Sequence, residues 1–195
     1  MVLLSVNAGS SSLKVAVFND TRSETPSESL SIEGIGSAHA ALVPNGEFGN
    51  KGTEHSKIKN FDEAAEHAKA WLSEKMGIQP KDIQAIGHRV VHGGARYHSA
   101  VPVDDDLLTY LRAITPLAPN HTPATVTSIE AFLDAYPTAP QVACFDTSFF
   151  HTIPKVAKYF ALPLDLQRRH KIRRYGFHGL VYQSLLESFR RHEGE

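Results

Sequence analysis

The sequence predicts an α/β domain built on a mixed central sheet, with antiparallel strands first and helices crossing its faces. Two observations predict it. Residues 2–59 hold five short apolar segments separated by Gly, Pro, Asn and Ser clusters, the pattern of a strand meander. After residue 60, helical periodicity alternates with apolar strand-like runs, and that alternation calls for crossover helices and parallel pairing. The composition can fill a core, since 42% of the 195 residues are hydrophobic and 21% charged, as in ordinary globular chains.

The meander strands are Val2 to Asn7, Ser12 to Asn19, Glu28 to Ile32, Ala38 to Val43 and His55 to Lys59. Asn60 can cap the first helix, with Glu63 at its third position. Phe61, Ala64, Ala65, Ala68, Trp71, Leu72 and Met76 then fall on one stripe, and Gly77 stops it. A strand follows at Ile83 to Val91. Asp104 to Ala113 reads as a short helix, because three acidic residues suit its N-terminal dipole. Thr122 and Pro123 open another helix, with Val126, Ile129, Phe132, Leu133 and Tyr136 on its apolar side. Pro137 and Pro140 end that helix and introduce the strand Gln141 to Asp146. The last element is a helix from Gly179 to Arg191 whose Val181, Leu185, Leu186 and Phe189 are expected to face inward.

Charge excludes some partners. A net charge of −1 and a pI near 6.8 leave no electrostatic footprint for nucleic acid or an anionic membrane. The basic cluster at Arg168, Arg169, Lys171, Arg173 and Arg174 is ordinary for a solvated face. The single Cys144 excludes a disulfide scaffold and favours a reducing compartment; its apolar run suggests a buried small hydrophobe. No stretch approaches membrane-span length, and Met1 to Val6 lacks a charged leader, so the expected location is cytoplasmic.

The first two strands enclose Asn7-Ala8-Gly9-Ser10-Ser11-Ser12, a polar hairpin tip. With the second arm extended, Ser10, Ser12 and Lys14 share one face while Leu13, Val15 and Val17 share the other. Two hydroxyls, an ammonium, the Asn7 amide and backbone N–H groups near Gly9 suit polyphosphate oxygens. A serine-rich solvated turn explains the same residues.

Three further residues have chemistry suited to an anionic guest. Arg89 ends an apolar strand just before Gly93-Gly94, and its fork can grip a carboxylate or phosphoryl group; a surface ion pair is the alternative. Asp146 emerges at a strand's C-terminal edge, where open α/β sheets place ligands, and its hard oxygens suit Mg²⁺; Asp there also serves as a helix cap. His178 lies between Gly176 and Gly179 ahead of the last helix, where an imidazole N–H can meet an anionic transition state. His88, His92 and His98 raise a zinc alternative, but no H-E-x-x-H or cysteine pair accompanies them. Ser148 and His151 suggest a hydrolase pair without a G-x-S-x-G elbow.

NAGSSSLK closely resembles the N-terminal signature of acetate kinases. HRVVHGG (88–94), PLAPNHTP (116–123), FDTSFFHTIP (145–154) and RRYGFHGL (173–180) resemble that family in the same order. The resemblance implies a ribonuclease H-like (actin-like ATPase) fold, in which two similar domains close over the nucleotide. It covers the N-terminal half only: residues 1–195 form the domain with acyl-substrate and phosphoryl-transfer residues, and the C-terminal nucleotide-binding domain is expected to be absent. The implied reaction is Mg²⁺-dependent transfer from ATP to acetate, giving acetyl phosphate and ADP. By resemblance Arg89 binds the acyl substrate, Val91 and Phe177 line its methyl pocket and His121 positions it. His178 stabilises the transferring phosphoryl group. Asn7 and Asp146 are the metal-side candidates, and Asn7, Ser10, Ser12 and Lys14 the phosphate-side ones.

Family members usually carry leucine where this chain has Asn120, so either Asn120 turns outward or the substrate is more polar than acetate; the outward orientation is the expectation. Pairing into a homodimer is implied for the full-length form, and exposed apolar surface is expected on the orphaned face. Two other functions stay open: a non-catalytic binding or assembly module, and a kinase for propionate, butyrate or another short acid.

Overall fold

A computed structural model describes residues 2–46 and 52–193. Its centre is an eight-stranded mixed sheet of order β5-β4-β3-β2-β1-β6-β8-β7. Strands β1 (Val2–Ala8), β2 (Ser12–Phe18), β3 (Glu28–Glu33), β4 (Ala40–Gly46) and β5 (Glu54–Ser56) form the expected antiparallel meander. Strands β6 (Ile83–Val90) and β8 (Gln141–Phe145) join β1 in parallel, and the two-residue β7 (Val101–Pro102) closes the edge. The third and fourth meander strands start or end up to three residues from the sequence expectation, as strand ends commonly do.

One sheet face is a core and the other is open, because side chains alternate along each strand. Leu4, Val6, Ala8, Leu13, Val15, Val17, Leu30 and Ile32 pack inward against helix α1 (Phe61–Ala70). The Asn60 side chain accepts from the Glu63 N–H at 2.9 Å, so the expected cap forms. The helical stripe runs on through a π turn at Trp71–Lys75 before Gly77. Helices α2 (Asp105–Ala113) and α3 (Thr122–Ala135) complete that face, with Phe132 and Tyr136 in the larger core and Val126 and Ile129 beside Phe145 in the smaller.

His88 belongs to this buried face. Its Nε2–H donates to Gln141 Oε1 at 2.7 Å, and the Gln141 amide donates to the Phe132 carbonyl at 2.8 Å. Burial pushes the His88 pKa down from 6.5 to about 4. The unfolded chain therefore takes a proton near pH 6.5 that the folded chain refuses until about pH 4. Stability is full above pH 6.5 and drains as pH falls through that window, by an amount on the order of 3 kcal/mol. Urea midpoints measured from pH 7 to pH 4 should decline, while the His88 ring keeps its neutral NMR signature at pH 5. A protonated ring at pH 5 would contradict this.

Both cores stop at Phe145: among the described residues no later one belongs to either. Helices α4 (Lys155–Lys158), α5 (Leu164–His170) and α6 (Gly179–Glu193) lie outside them. The inward placement expected for α6 is wrong. Val181, Leu185, Leu186 and Phe189 are all exposed, Phe189 by 63%. Leu180, Gln183, Ser184 and Glu187 instead line a hollow with Cys144 and Phe145. The far end is pinned through polar contacts, with Arg191 and Ser188 both on Glu24. Among the described residues every exposed large apolar side chain except Leu117 falls between 156 and 189. Cys144 is not a core residue either: it sits half-buried on the open face, where desolvation raises its thiol pKa.

Candidate active site

The C-terminal ends of the parallel strands β6 and β8 deliver the site. Arg89 is the penultimate residue of β6 and alternates with the inward Val90, so its side chain rises on the open face. Asp146 follows β8 directly, its N–H donating to the Val90 carbonyl at 2.9 Å. The two side chains meet there. Arg89 Nη2 donates to Asp146 Oδ2 at 2.7 Å, and Nε reaches both carboxylate oxygens at 3.2 and 3.3 Å. Nη1 donates to Asn7 Oδ1 at 3.3 Å. A guanidinium has five N–H groups. Three are engaged, and two remain for a guest.

The Asp146 side chain is only 1% exposed and that of Arg89 32%. The pair is therefore a largely desolvated strut at the base of a hollow of about 410 Å³. Arg89, Val91, Asn120, His121, Asp146, Phe177 and His178 all line it, together with Leu117, Ala118 and Pro119. Asn120 borders the hollow as an exposed residue. Its backbone is fixed by a turn: the His121 and Thr122 N–H groups both donate to the Ala118 carbonyl, at 3.1 and 2.9 Å. Leu117, Ala118 and Pro119 were not singled out from sequence, although their motif was.

His178 is held by its neighbours. Its φ is +59°, the left-handed region, and its carbonyl accepts from Val181 and Tyr182 to start α6. The Gly179 N–H donates to the Asp146 carbonyl at 2.9 Å. A Cβ on Gly179 would lie 2.2 Å from that same oxygen, so only glycine allows this approach. Thus the segment carrying Phe177 and His178 is tied by its backbone to the residue after β8. Behind it, Tyr175 packs edge-on against the buried His92 ring at 4.3 Å, with Arg173 over the Tyr175 face at 4.6 Å. Burial lowers the His92 pKa, and its Nδ1 accepts from the Gly94 N–H at 2.8 Å. Two of the three histidines of the zinc alternative, His88 and His92, are thereby committed to protein partners. Ser148 and His151 form no hydroxyl–imidazole pair, because Ser148 Oγ donates to the Phe145 carbonyl and His151 Nδ1 to the Ser148 carbonyl.

The hairpin residues divide. Asn7 and Lys14 are register partners across β1 and β2, and both line a second hollow on the open sheet face with Ser5, Ser29 and Ser31. Lys14 therefore does not border the same hollow as Arg89, Asp146 and His178; the Asn7–Arg89 hydrogen bond links the two. Ser10 lies in the turn before β2 rather than in the extended arm, and neither it nor Ser12 lines either hollow. The tight tip explains this, since the Gly9 N–H donates to the Ser12 carbonyl at 2.8 Å and closes the turn ahead of the strand.

Asp146 is the one carboxylate among the described residues lining this hollow, so it is the residue that would hold a magnesium ion there. Among the described residues no three His, Cys, Asp or Glu side chains converge into a metal cage. Mg²⁺ does not require one, as it commonly uses one or two carboxylates and completes its shell with phosphates and water. Asp146, whose Oδ1 accepts only the long Arg89 Nε bond, retains lone pairs for it.

The family model described as the acetokinase family matches residues 2–192. The chain belongs to that family. This acetokinase-family chain is 39% identical over 186 residues to the acetate kinase of Rhodopseudomonas palustris (strain ATCC BAA-98 / CGA009), covering 93% of its own length and 46% of the relative's. It is 41% identical over 186 residues to that of Alkaliphilus metalliredigens (strain QYMF), at 94% and 47% coverage. Its fold superposes on the crystal structure of Porphyromonas gingivalis acetate kinase with a TM-score of 0.91 at 29% identity, covering 99% of this chain and 49% of that one. A propionate kinase from Francisella tularensis gives 0.90 at 32% identity, at 100% and 49%. The actin-like ATPase fold expected from the motifs is the fold observed. The chain spans about half the length of the curated relatives it matches. Among the described residues no helix is long and apolar enough to cross a membrane.

Proposed function

We propose that this chain supplies the acyl-acceptor half of an acetate kinase, which transfers the γ-phosphoryl group of ATP reversibly to acetate, giving acetyl phosphate and ADP. The observation that carries this reading is the convergence of Arg89, Val91, Asn120, His121, Asp146, Phe177 and His178 on one hollow. The two free Arg89 N–H groups hold the carboxylate, while Val91 and Phe177 cover its methyl group. One carboxylate oxygen attacks the γ-phosphorus in line; the new O–P bond forms as the bond to the bridging oxygen breaks and ADP leaves. The His178 imidazole donates to the equatorial oxygens, where charge is spread in the transition state. Lys14 and Asn7, in the adjoining hollow, face the phosphate side. Mg²⁺ held by Asp146 and Asn7 would neutralise charge on the phosphates. The setting is cytoplasmic, as the single thiol suits, and the full-length form pairs as a homodimer.

The isolated chain should turn over negligibly, because it spans about half the length of the acetate kinases it matches. Mixing it with the C-terminal half of a relative should restore hydroxamate-detectable acetyl phosphate formation. Persistent inactivity of a stable mixed assembly would favour the non-catalytic module instead. The likeness to a propionate kinase gives a second reading, a kinase for a longer acid, which a panel of acids on the same assembly separates.

A further inference from the structure

We propose that His92 is the positioning residue that sets the acyl-chain length this site accepts, by backing the Phe177 ring on the wall of the hollow. The proposal rests on the carboxylate-kinase reading above and adds to it a residue that lies behind the hollow rather than in it.

Three observations carry it. Val91 and Phe177 line the hollow, whereas His92, the residue after Val91, is buried and does not. Its ring packs edge-on against Phe177 at 5.7 Å and against Tyr175 at 4.3 Å. Among the described residues no other aromatic ring packs against Phe177. Next, the His92 ring is fixed in place. Its Nδ1 accepts from the Gly94 N–H at 2.8 Å, so the ring carries its proton on Nε2. The loop around it is closed by the Gly93 N–H on the Thr147 hydroxyl and the Tyr97 N–H on the Gly93 carbonyl, both at 3.0 Å. Finally, the backbone on either side of Phe177 is pinned as well. A Cβ on Gly176 would lie 2.2 Å from the Phe150 ring, and the Gly179 N–H is held by the Asp146 carbonyl. Rotation of the exposed Phe177 side chain is the freedom that remains, and the His92 ring stops it on the buried side.

A stop of this kind acts on substrate length. An acid held by Arg89 turns its alkyl end to Val91 and Phe177, so each added methylene must press Phe177 toward His92 or leave the apolar wall for solvent. Overpacking a ring against a fixed neighbour is unfavourable, and so is leaving the wall. Removing the outer ring atoms behind Phe177 gives a longer chain its space without touching the Arg89 contact.

Two substitutions separate the ring from the loop clamp. In His92→Asn the amide oxygen can accept from Gly94 as Nδ1 does, yet the ring's place is left vacant; in His92→Phe the place is filled, but Gly94 loses its acceptor. Titrations of the chain with acetate, propionate and butyrate, followed by ¹H–¹⁵N NMR at the Arg89 Nε–H and the Phe177 amide, give the affinities. In His92→Asn the ratio of butyrate to acetate affinity should rise about tenfold over wild type, while His92→Phe should keep the wild-type ratio. A merely structural role would lower all three affinities together. A wild-type measurement needs no variant to fold: at saturation the His92 ring signals should shift progressively more from acetate to butyrate, as the longer chain presses Phe177 onto that ring. An unchanged ratio in His92→Asn, an equal rise in His92→Phe, or a His92 signal indifferent to chain length would overturn the proposal and leave the carboxylate site standing. If no acid shifts the Arg89 Nε–H, the carboxylate-site reading fails and takes the proposal with it.

Discussion

Arg89→Ala is expected to destabilise the folded chain by about 3–5 kcal/mol, the range for removing one partner of a buried ion pair. The magnitude follows from Asp146, not from Arg89. Its carboxylate is 1% exposed, and the hydrogen bonds its oxygens accept come from the Arg89 guanidinium. Deleting that guanidinium takes from a carboxylate that the fold holds almost fully buried its only hydrogen-bond donors among the described residues. Two companion variants identify the cause. Arg89→Ala with Asp146→Asn should be less destabilised than Arg89→Ala alone, since a neutral amide is cheaper to leave unpaired. Arg89→Lys keeps the charge but cannot span both carboxylate oxygens, and should fall between. Urea midpoints with unchanged m values provide the measurement. A loss below about 1 kcal/mol for Arg89→Ala would mean that the pair behaves like an exposed one.

The same strut explains what the sequence could and could not show. Strand alternation places Arg89 and Asp146 on the open face, and the parallel order of β6 and β8 brings their ends together; both are local patterns. That the two would bind each other is not local, because it depends on a register linking Arg89 to Cys144 across strands more than fifty residues apart. Lys14 illustrates the converse. Its face was legible, but its distance from His178 depended on three intervening strands. The helix α6 was misread because its apolar stripe is real and was assigned to the nearest core. A periodic stripe states that a face will be covered, not by what, and here Val181, Leu185, Leu186 and Phe189 are left exposed.

Backbone strain and chemistry coincide at His178, and substitutions can pull them apart. A non-glycine residue at φ +59° is held in a sparsely populated region at about 1–2 kcal/mol. Asparagine tolerates that region better than most residues and glycine occupies it freely. His178→Gly should therefore raise the urea midpoint, by up to about 1 kcal/mol of stability, whereas His178→Asn, which enters that region about as readily as histidine, and His178→Ala, which keeps a Cβ, should not raise it. Activity should move the other way. In the assembly reconstituted with a C-terminal half, all three variants lose the imidazole donor and should lose roughly 10²–10³ in kcat, the usual effect of removing one transition-state donor. KM for the acid should change little, because Arg89 still holds the carboxylate. A gain in stability joined to a loss of kcat identifies strain retained for function. If His178→Asn instead keeps kcat within about tenfold, the histidine serves to start α6, and the transition-state donor must be sought elsewhere around the hollow.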